Sequence, residues 1–412
     1  MGLVVQKFGG TSLSDAQKIH RAARRAIRAR MAGDRVVMVV SAMGDTTNHL
    51  LGLANEIAPN PSRRELDVLL TTGEQVSIAL MAMAIHAAGH EAISLTAGQL
   101  GLVTDSVHTK ARIRRIQRDR LERELETGKI VIVAGFQGID AAGEITTLGR
   151  GASDTTAAAL AAVINADACE IYTDVDGVYT ADPRLVPNAR KIDWISYDEM
   201  LELAARGAAV MHSRAIEFAT RFDVPIHVRS SLTDAPGTMI VAEDHEMEAV
   251  TVRGVTIRDG LAVIGFVGVP NAPGFAARVF AAIAEKHINV DDIVQNIYAH
   301  GAKANVGFVV EADDAAIARE IAERLADEQG FEDVEFRDDM CKISAVGVGM
   351  RSHAGVAATM FQALCDADIN IHAISTSEIV ISCIVPRADG NRALAAVHDA
   401  FGLGGENDLL KS

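Results

Sequence analysis

Aromatic residues make up only 4% of this 412-residue chain, with a single tryptophan, although 49% of it is hydrophobic. The core is therefore expected to be aliphatic, built from Ala, Val, Ile and Leu, which suits α/β layers better than a β-sandwich. Cysteine is equally scarce. Cys169, Cys341, Cys365 and Cys383 are dispersed without C-x-x-C or His-rich spacing, which argues against a disulfide framework or a zinc site. No apolar stretch approaches the roughly 18 residues that a spanning helix needs, and the N-terminus opens without the basic region and cleavage pattern of a signal peptide. A soluble, cytoplasmic chain with no membrane partner is expected. Basic residues are outnumbered, 39 Lys and Arg against 55 Asp and Glu, for a formal net charge of −16, which disfavours nucleic acid as a partner. Arg21, Arg24, Arg25, Arg28 and Arg30 run against this balance, but their helical spacing and lack of interleaved aromatics read as a solvated helix face.

The length allows two or three domains. In the first half, strand and helix patterns alternate. Strands are expected at Val4–Lys7, Arg35–Ser41, Glu91–Leu95, Lys129–Ala134 and Ala168–Thr173. Helices are expected at Asp15–Ala32, Asn48–Ile57, Ser62–Ala88, Lys110–Thr127 and Ser153–Ile164. The nearly continuous apolar run at 35–41 is that of a strand covered on both faces. Such alternation predicts an α/β fold with an open, mostly parallel sheet covered by helices, whose ligands lie at the carboxyl ends of the strands. Lys7, Ser41, the Gly135–Gly138 loop and Asp174 all follow strands and are expected to converge there.

Residues 6–12 read Gln-Lys-Phe-Gly-Gly-Thr-Ser directly after the apolar Leu3-Val4-Val5. Gly9 and Gly10 let the backbone bend sharply and turn its N–H groups toward an anion. Lys7 adds a point charge suited to phosphate. The motif reads as a phosphate-cradling turn.

Beyond the turn-rich 230–237 and the acidic 243–248, the chain repeats itself. Aligning 273–296 on 354–377, an offset of 81, gives eight identities in 24 positions, among them Gly274 with Gly355 and Asn289 with Asn370. These fall on turn and core positions and indicate duplicated units. The expected division is 1–245, 246–335 and 336–412.

The ordered segments Lys7–Ser12, Ser41-Ala42-Met43-Gly44, Thr72-Gly73-Glu74, Gly135–Gly138, Thr147–Thr155 and Tyr172–Thr180 closely resemble those of the aspartate kinases, members of the amino-acid kinase superfamily. The C-terminal repeats resemble tandem βαββαβ ACT modules, which bind amino acids, so the resemblance covers essentially the whole chain. It implies ATP-dependent phosphorylation of the aspartate side-chain carboxylate to 4-phospho-L-aspartate, the first step toward lysine, threonine and methionine. Lysine, threonine or both are implied as feedback effectors.

By that resemblance, Lys7, Phe8, Gly9 and Gly10 hold ATP phosphates, and Asp154 orients the catalytic groups. Ser153 and the helix start cap an anion beside Gly151. Glu74 pairs with the substrate ammonium and Arg150 with its α-carboxylate, while Ser41 and Thr47 add hydroxyl contacts. Nucleotide contacts extend to Thr173 and Asp174, then Tyr179, Thr180, Ala181, Asp182, Pro183 and Arg184. Mg²⁺ is expected to be held mainly through phosphates and water, without a protein cage. The implied effector site uses Asn271, Ala272, Pro273 and Gly274 with Gln295 or Asn296 nearby, and Met350–Gly355 with Asn370 and Ile371 in the second module. A homo-oligomer through the ACT modules is implied; some aspartate kinases make a shorter regulatory subunit from an internal start, for which Met247 is the candidate here, although it reads first as an ordinary methionine. Three departures stand out. Ala152 replaces a frequent glycine, and its one methyl group at the cradle is expected to tune activity rather than abolish it. Ser213 stands where a His-Pro-Arg pattern is frequent, leaving 208–214 outside the expected catalytic set. Ala354 replaces a proline often found before the second-module glycine.

Overall fold

The computed structural model describes residues 2–149, 151–208, 210–243, 250–298, 303–329 and 333–405. Arg150 and Met247, and the boundary at 245, lie outside them. The chain divides into two compact units, residues 1–179 with 191–247, and residues 180–190 with 248–412. The division is not linear, because an 11-residue segment from the first half belongs to the second unit.

The first unit is built on an eight-stranded sheet. Its strands are β1 (Leu3–Phe8), β2 (Arg35–Val40), β3 (Ala92–Leu95), β4 (Ile130–Ala134), β5 (Ala168–Thr173), β6 (Trp194–Ser196), β7 (Ile226–Ser230) and β8 (Thr238–Val241). Their order is β6-β8-β7-β5-β1-β2-β4-β3, and every pairing except β7 with β8 is parallel. β4 is buried at every residue and β2 at all but Arg35, as apolar strands covered on both faces must be.

Helix α1 (Ala16–Met31) starts where the Asp15 carboxylate accepts from the Lys18 N–H at 2.9 Å, a typical N-cap. It lays Ile19, Ala22, Ala23, Ala26 and Ile27 on the sheet beside α2 (Thr72–Ala87). Phe8 and Tyr172 stack in this layer with ring centroids 4.7 Å apart. On the other face, α3 (Ala152–Val163) is buried at ten consecutive residues and packs against β1 and α4 (Ser213–Phe222). Its alanines, without long side chains, permit that close approach.

Two local expectations are corrected. Residues 110–127 are not one helix. Ile113–Ile116 is a strand of a separate four-stranded sheet, and only Asp119–Glu126 is helical. The helical segment Arg63–Ala87 is long and apolar enough by length and composition to cross a membrane, against the expectation that no apolar stretch approaches that length. In the fold this segment buries Ile78, Met81 and Ile85 in the core.

The second unit is a six-stranded antiparallel sheet. Its strands are β9 (Gly254–Pro270), β10 (Asp291–Tyr298), β11 (Lys303–Glu311), β12 (Asp333–Val346), β13 (Ala373–Thr376) and β14 (Val380–Pro386), in the order β10-β11-β9-β12-β14-β13. Helices α5 (Phe275–Glu285), α6 (Ala312–Gln329), α7 (Val356–Asp366) and α8 (Gly390–Ala400) complete it. The repeat is visible in the backbone. Gly274 and Gly355, at the N-caps of α5 and α7, have φ of 100° and 98°, and His287 and Asp368 have φ of 59° and 53°. The long strands serve both repeats. β9 pairs through Gly254–Arg258 with Val346–Lys342, and through Val263–Val267 with Arg337–Asp333. The expected boundary at 335 therefore falls inside β12, and the last strand of one module is the first strand of the next.

β4 ends against the start of α3. A Cβ placed on Gly135 falls 2.7 Å from Ser153 Cβ and 3.2 Å from its Cα, and neither atom is the free end of a flexible side chain. Gly135→Ala is expected to lower the unfolding free energy by about 1–3 kcal/mol, the usual cost of overpacking, read from the urea midpoint at constant m-value. An unchanged midpoint would show that α3 moves away freely.

Candidate active site

The carboxyl ends of β1, β2, β4 and β5 lie side by side. The Ser41 N–H donates to Phe8 O at 3.1 Å, the Gly135 N–H to Val40 O at 3.0 Å and the Gly9 N–H to Tyr172 O at 3.4 Å. The loops leaving these strands thus start at one edge of the sheet, where α/β folds bind ligands.

Lys7 and Phe8 point to opposite faces of β1. Phe8 turns its ring into the core beneath α1, so only its backbone is placed toward the loop. Lys7, 9% exposed, reaches the opposite side, where its Nζ lies 2.6 Å from Asp154 Oδ1. Asp154 sits in the first turn of α3, whose N-cap Gly151 has a φ of 73°. A carboxylate at a helix N-terminus is favoured by the helix dipole, and Asp154 Oδ2 also accepts from the His212 N–H at 3.2 Å.

From this pair the contacts continue outward. The Ser153 and Ser41 hydroxyls share a hydrogen bond of 2.8 Å. The next residue, Ala42, donates its N–H to Glu74 Oε1 at 3.0 Å. Lys7, Asp154, Ser153, Ser41 and Glu74 are therefore brought together in one connected run. Glu74 is 3% exposed, and its second oxygen, Oε2, has no hydrogen-bond partner among the described residues. The buried hydroxyls of Ser12 and Thr155 are also unpartnered there. A Cβ on Gly10 falls 2.9 Å from both Ala42 O and Gly44 O, so the loop after β1 closes this tightly only on glycine. An ammonium held by a carboxylate, a glycine turn and a helix start suit a phosphate group. A buried carboxylate oxygen without a partner suits an amine.

The remaining expectations fall in different settings. Ala152 is buried in a small cluster with Leu70, Ala111, Phe136 and Leu148, so its methyl packs inward and does not narrow the cradle. Thr47 is half-buried on the helix Thr46–Ile57, and among the described residues no hydrogen bond joins it to the run above. Thr173 bonds the exposed Asp174 at 3.1 Å, and the Tyr179 hydroxyl donates to Asp176 at 2.8 Å. Thr180, Ala181, Asp182, Pro183 and Arg184 belong to the second unit. There Ala181 is part of the core, the Thr180 hydroxyl bonds His398 Nε2 at 3.0 Å, and Asp182 is paired with Arg184 at 2.7 Å. Among the expected effector residues, Asn271, Ala272 and Pro273 form the turn before Gly274, while Gln295 and Asn296 are exposed on β10 and Asn370 and Ile371 follow α7.

Several positioning residues were not foreseen. His212 acts through its main chain, which carries no side-chain signal. Arg214 donates to Leu148 O at 2.7 Å and Ala111 O at 3.2 Å, tying α4 to the segments before α3. Asp67 is fully buried and accepts from the Thr109 N–H at 3.1 Å and the Thr147 hydroxyl at 2.5 Å. On β12, the buried Lys342 reaches Asp291 at 2.6 Å and Asp292 at 2.5 Å, on the same strand as Gln295.

Comparison with known proteins gives a consistent picture. The profile of the Amino acid kinase family matches residues 2–230, and that of the ACT domain matches 261–324 and 343–401. The aspartokinase of Mycolicibacterium smegmatis is 49% identical over 414 residues, covering 100% of this chain and 98% of that protein. The aspartokinase of Pseudomonas aeruginosa is 48% identical, covering 98% of each. Among solved structures, E. coli aspartokinase III in complex with aspartate and ADP is 26% identical with a TM-score of 0.80, covering 97% of this chain and 99% of that one. The same protein with lysine and aspartate gives a TM-score of 0.78 at 26% identity, over the same shares of the two chains.

Burial pushes the Glu74 carboxyl up to about 7 from its ordinary value of 4.5, against the opposing hydrogen bond from Ala42. In the unfolded chain this group loses its proton near the ordinary value. Between the two values the folded state holds more protons, so stability falls as pH rises through that window. The full displacement corresponds to roughly 3 kcal/mol. Glu74→Gln, which removes the titration, is expected to gain about 1–3 kcal/mol relative to the parent between about pH 5 and pH 8, measured by urea unfolding at several pH values. A difference independent of pH would mean that the carboxylate is solvated in the folded state.

Proposed function

The chain belongs to the amino acid kinase family as an aspartokinase, and from that premise we propose that it transfers the γ-phosphoryl group of ATP to the side-chain carboxylate of L-aspartate. A carboxylate oxygen attacks the γ-phosphorus, the bond from that phosphorus to the β-phosphate bridging oxygen breaks, and ADP leaves with the electron pair. The products are 4-phospho-L-aspartate and ADP. The attacking carboxylate is already ionised near neutral pH, so no proton has to be removed. What remains for the protein is positioning and charge stabilisation.

The observation that carries this reading is the connected run from Lys7 through Asp154, Ser153 and Ser41 to Glu74. Lys7 and the amide of Gly10 hold phosphate oxygens, the Gly9 N–H being taken by Tyr172 O, and Asp154 fixes the Lys7 ammonium in place. The start of α3, with Gly151 and Ser153, faces developing negative charge. Glu74 Oε2 accepts the α-ammonium of aspartate, which supplies the missing partner of that buried oxygen, and Arg150 takes the α-carboxylate. Ser41 and Thr47 supply hydroxyls, and Thr173 and Asp174 border the nucleotide. Mg²⁺ neutralises the phosphates when bound, held by them and by water. Among the described residues no group of three or more His, Cys, Asp or Glu is disposed to hold a metal ion.

The ACT repeats supply regulation. Lysine, threonine or both bind at the turn and helix start around Asn271–Gly274 with Gln295, and at the corresponding Asn370 and Ile371. Bound effector favours a less active conformation, which requires a higher affinity for that state. The bound lysine in the related E. coli structure supports lysine, and the duplicated turn supports a second effector position.

Lys7→Ala and Asp154→Ala are each expected to lower kcat/KM for aspartate-dependent ADP release by at least about 100-fold, the scale of a lost charge-stabilising group, with the far-ultraviolet circular dichroism of the parent. Near-parental rates in either variant would refute these roles. Lysine and threonine titrated separately and together against initial rate are expected to give saturable inhibition by at least one. Flat curves throughout would discard the regulatory proposal.

A further inference from the structure

Arg21, Arg24, Arg25 and Arg28 recur at i, i+3, i+4 and i+7 on α1 and so share one helix face. Their surroundings are not those of a simple solvated face. Arg25 is only 9% exposed. Its Nη2 donates to Thr233 O at 2.5 Å, its Nη1 pairs with Asp234 at 3.0 Å, and its guanidinium lies 4.9 Å from the Tyr172 ring centroid. The buried Nε of the same side chain has no hydrogen-bond partner among the described residues. Arg28 shares Asp234 at 3.3 Å. Arg21 and Arg24 make no hydrogen bond or ion pair among the described residues.

These four arginines, with Leu232, Thr233 and Asp234, line a cleft of about 240 Å³. Four guanidinium groups thus face a single carboxylate, in a chain whose formal net charge is −16. Like charges at these helical spacings oppose helix formation, so the arrangement works against stability unless an anion compensates it. An adjoining cleft of about 260 Å³ shares Arg25 and Arg28 but also contains Asp34, Glu170 and Arg229. There Glu170 and Arg229 pair at 3.0 Å, so much of its charge is compensated internally.

We propose that the cleft between α1 and the Thr233–Asp234 turn binds a small phosphate-bearing anion of about diphosphate size. Guanidinium groups stay charged at any physiological pH and present planar forks that match phosphate oxygens. Arg25 is the preorganised anchor, fixed by Thr233 and the Tyr172 ring. Arg21, Arg24 and Arg28 are the arms that close on the ligand. Asp234, with its largely exposed side chain, exchanges its hold on Arg25 and Arg28 for the more highly charged anion. Four guanidinium groups match the several negative charges of two linked phosphates better than those of one. None of the lining residues belongs to the run from Lys7 to Glu74.

The test is calorimetric titration of inorganic pyrophosphate into the full chain at low ionic strength, where exposed charges are least screened. The Lys7→Ala background removes the phosphate-binding lysine of the catalytic cluster. One binding event per chain is expected, weakened at least 10-fold by adding Arg21→Gln and Arg24→Gln, and partly restored by Arg24→Lys in place of Arg24→Gln. Inorganic phosphate is expected to bind several-fold more weakly than pyrophosphate. A parallel titration with ADP separates a free diphosphate, which binds as tightly as ADP or tighter, from a nucleotide-borne one, which does not. Arg24→Gln alone, at an exposed position, serves if the double substitution lowers the melting temperature. Absence of binding in Lys7→Ala, or equal binding with and without the arginine substitutions, overturns the proposal.

Discussion

The buried contact between Lys7 and Asp154 is the constraint around which the first unit is arranged. Removing two charges from water is expensive, and their attraction repays it only with good geometry and further hydrogen bonds. Here the geometry comes from two elements that meet end on, the carboxyl end of β1 and the first turn of α3. The His212 N–H occupies the second Asp154 oxygen, and the helix dipole favours the carboxylate. Glycine at 135 lets α3 approach β4 within the distance that the Ser41–Ser153 bond requires. The small-residue sequence of α3 is thus part of the electrostatic design. Large side chains along this helix would hold it off the sheet and separate the charges.

Much of this architecture is legible in the sequence because burial on both faces leaves an unmistakable apolar run. β1, β2, β4 and β5 are read within a residue or two, and the glycines that follow β1 and β4 mark the edge where the candidate site lies. The segment at 110–127 shows the limit. Ile113 and Ile116 stand three apart and Leu121 and Leu125 four apart, each pair compatible with a helix face, although the five-residue step between the pairs breaks the period. Only pairing of Ile113–Ile116 with Leu102–Thr104 makes the first part a strand, and no local pattern encodes that partner. The duplication in the second half is readable from its offset, down to the matched left-handed residues. The exchange of β9 and β12 between repeats is not, because it is decided by pairing across some 80 residues.

The site divides in the same way. Lys7, Gly10, Glu74, Ser153 and Asp154 lie in compact motifs, and the fold brings them together. Asp67 reads as one polar residue of an amphipathic helix, yet it is fully buried because Thr147, 80 residues away, and the Thr109 N–H satisfy it. Arg25 is indistinguishable by spacing from its neighbours on α1, but a backbone carbonyl 208 residues away makes it the buried one. Lys342 interrupts an otherwise apolar stretch of β12 and is fully buried because Asp291 and Asp292 face it from another strand. In each case the residue type is ordinary and the distant partner gives it meaning. The segment 180–190 is the same lesson at the scale of a loop, since its buried Ala181 and Val186 belong to the core of the second unit.

The polar atoms left without partners are the other half of the physical argument. Glu74 Oε2 and the hydroxyls of Ser12 and Thr155 are buried in the first unit without a hydrogen-bond partner there. Each such group costs about 1–3 kcal/mol relative to a satisfied one, in a fold whose net stability is only about 5–15 kcal/mol. A chain selected for stability alone would replace Glu74 with an apolar residue and fill the space. Keeping a carboxylate there, with burial raising its proton affinity, makes sense when a cationic group arrives to complete it. An ammonium supplies both the hydrogen bond and the charge that draws the proton off. A ligand that binds only the folded state in this way also stabilises it.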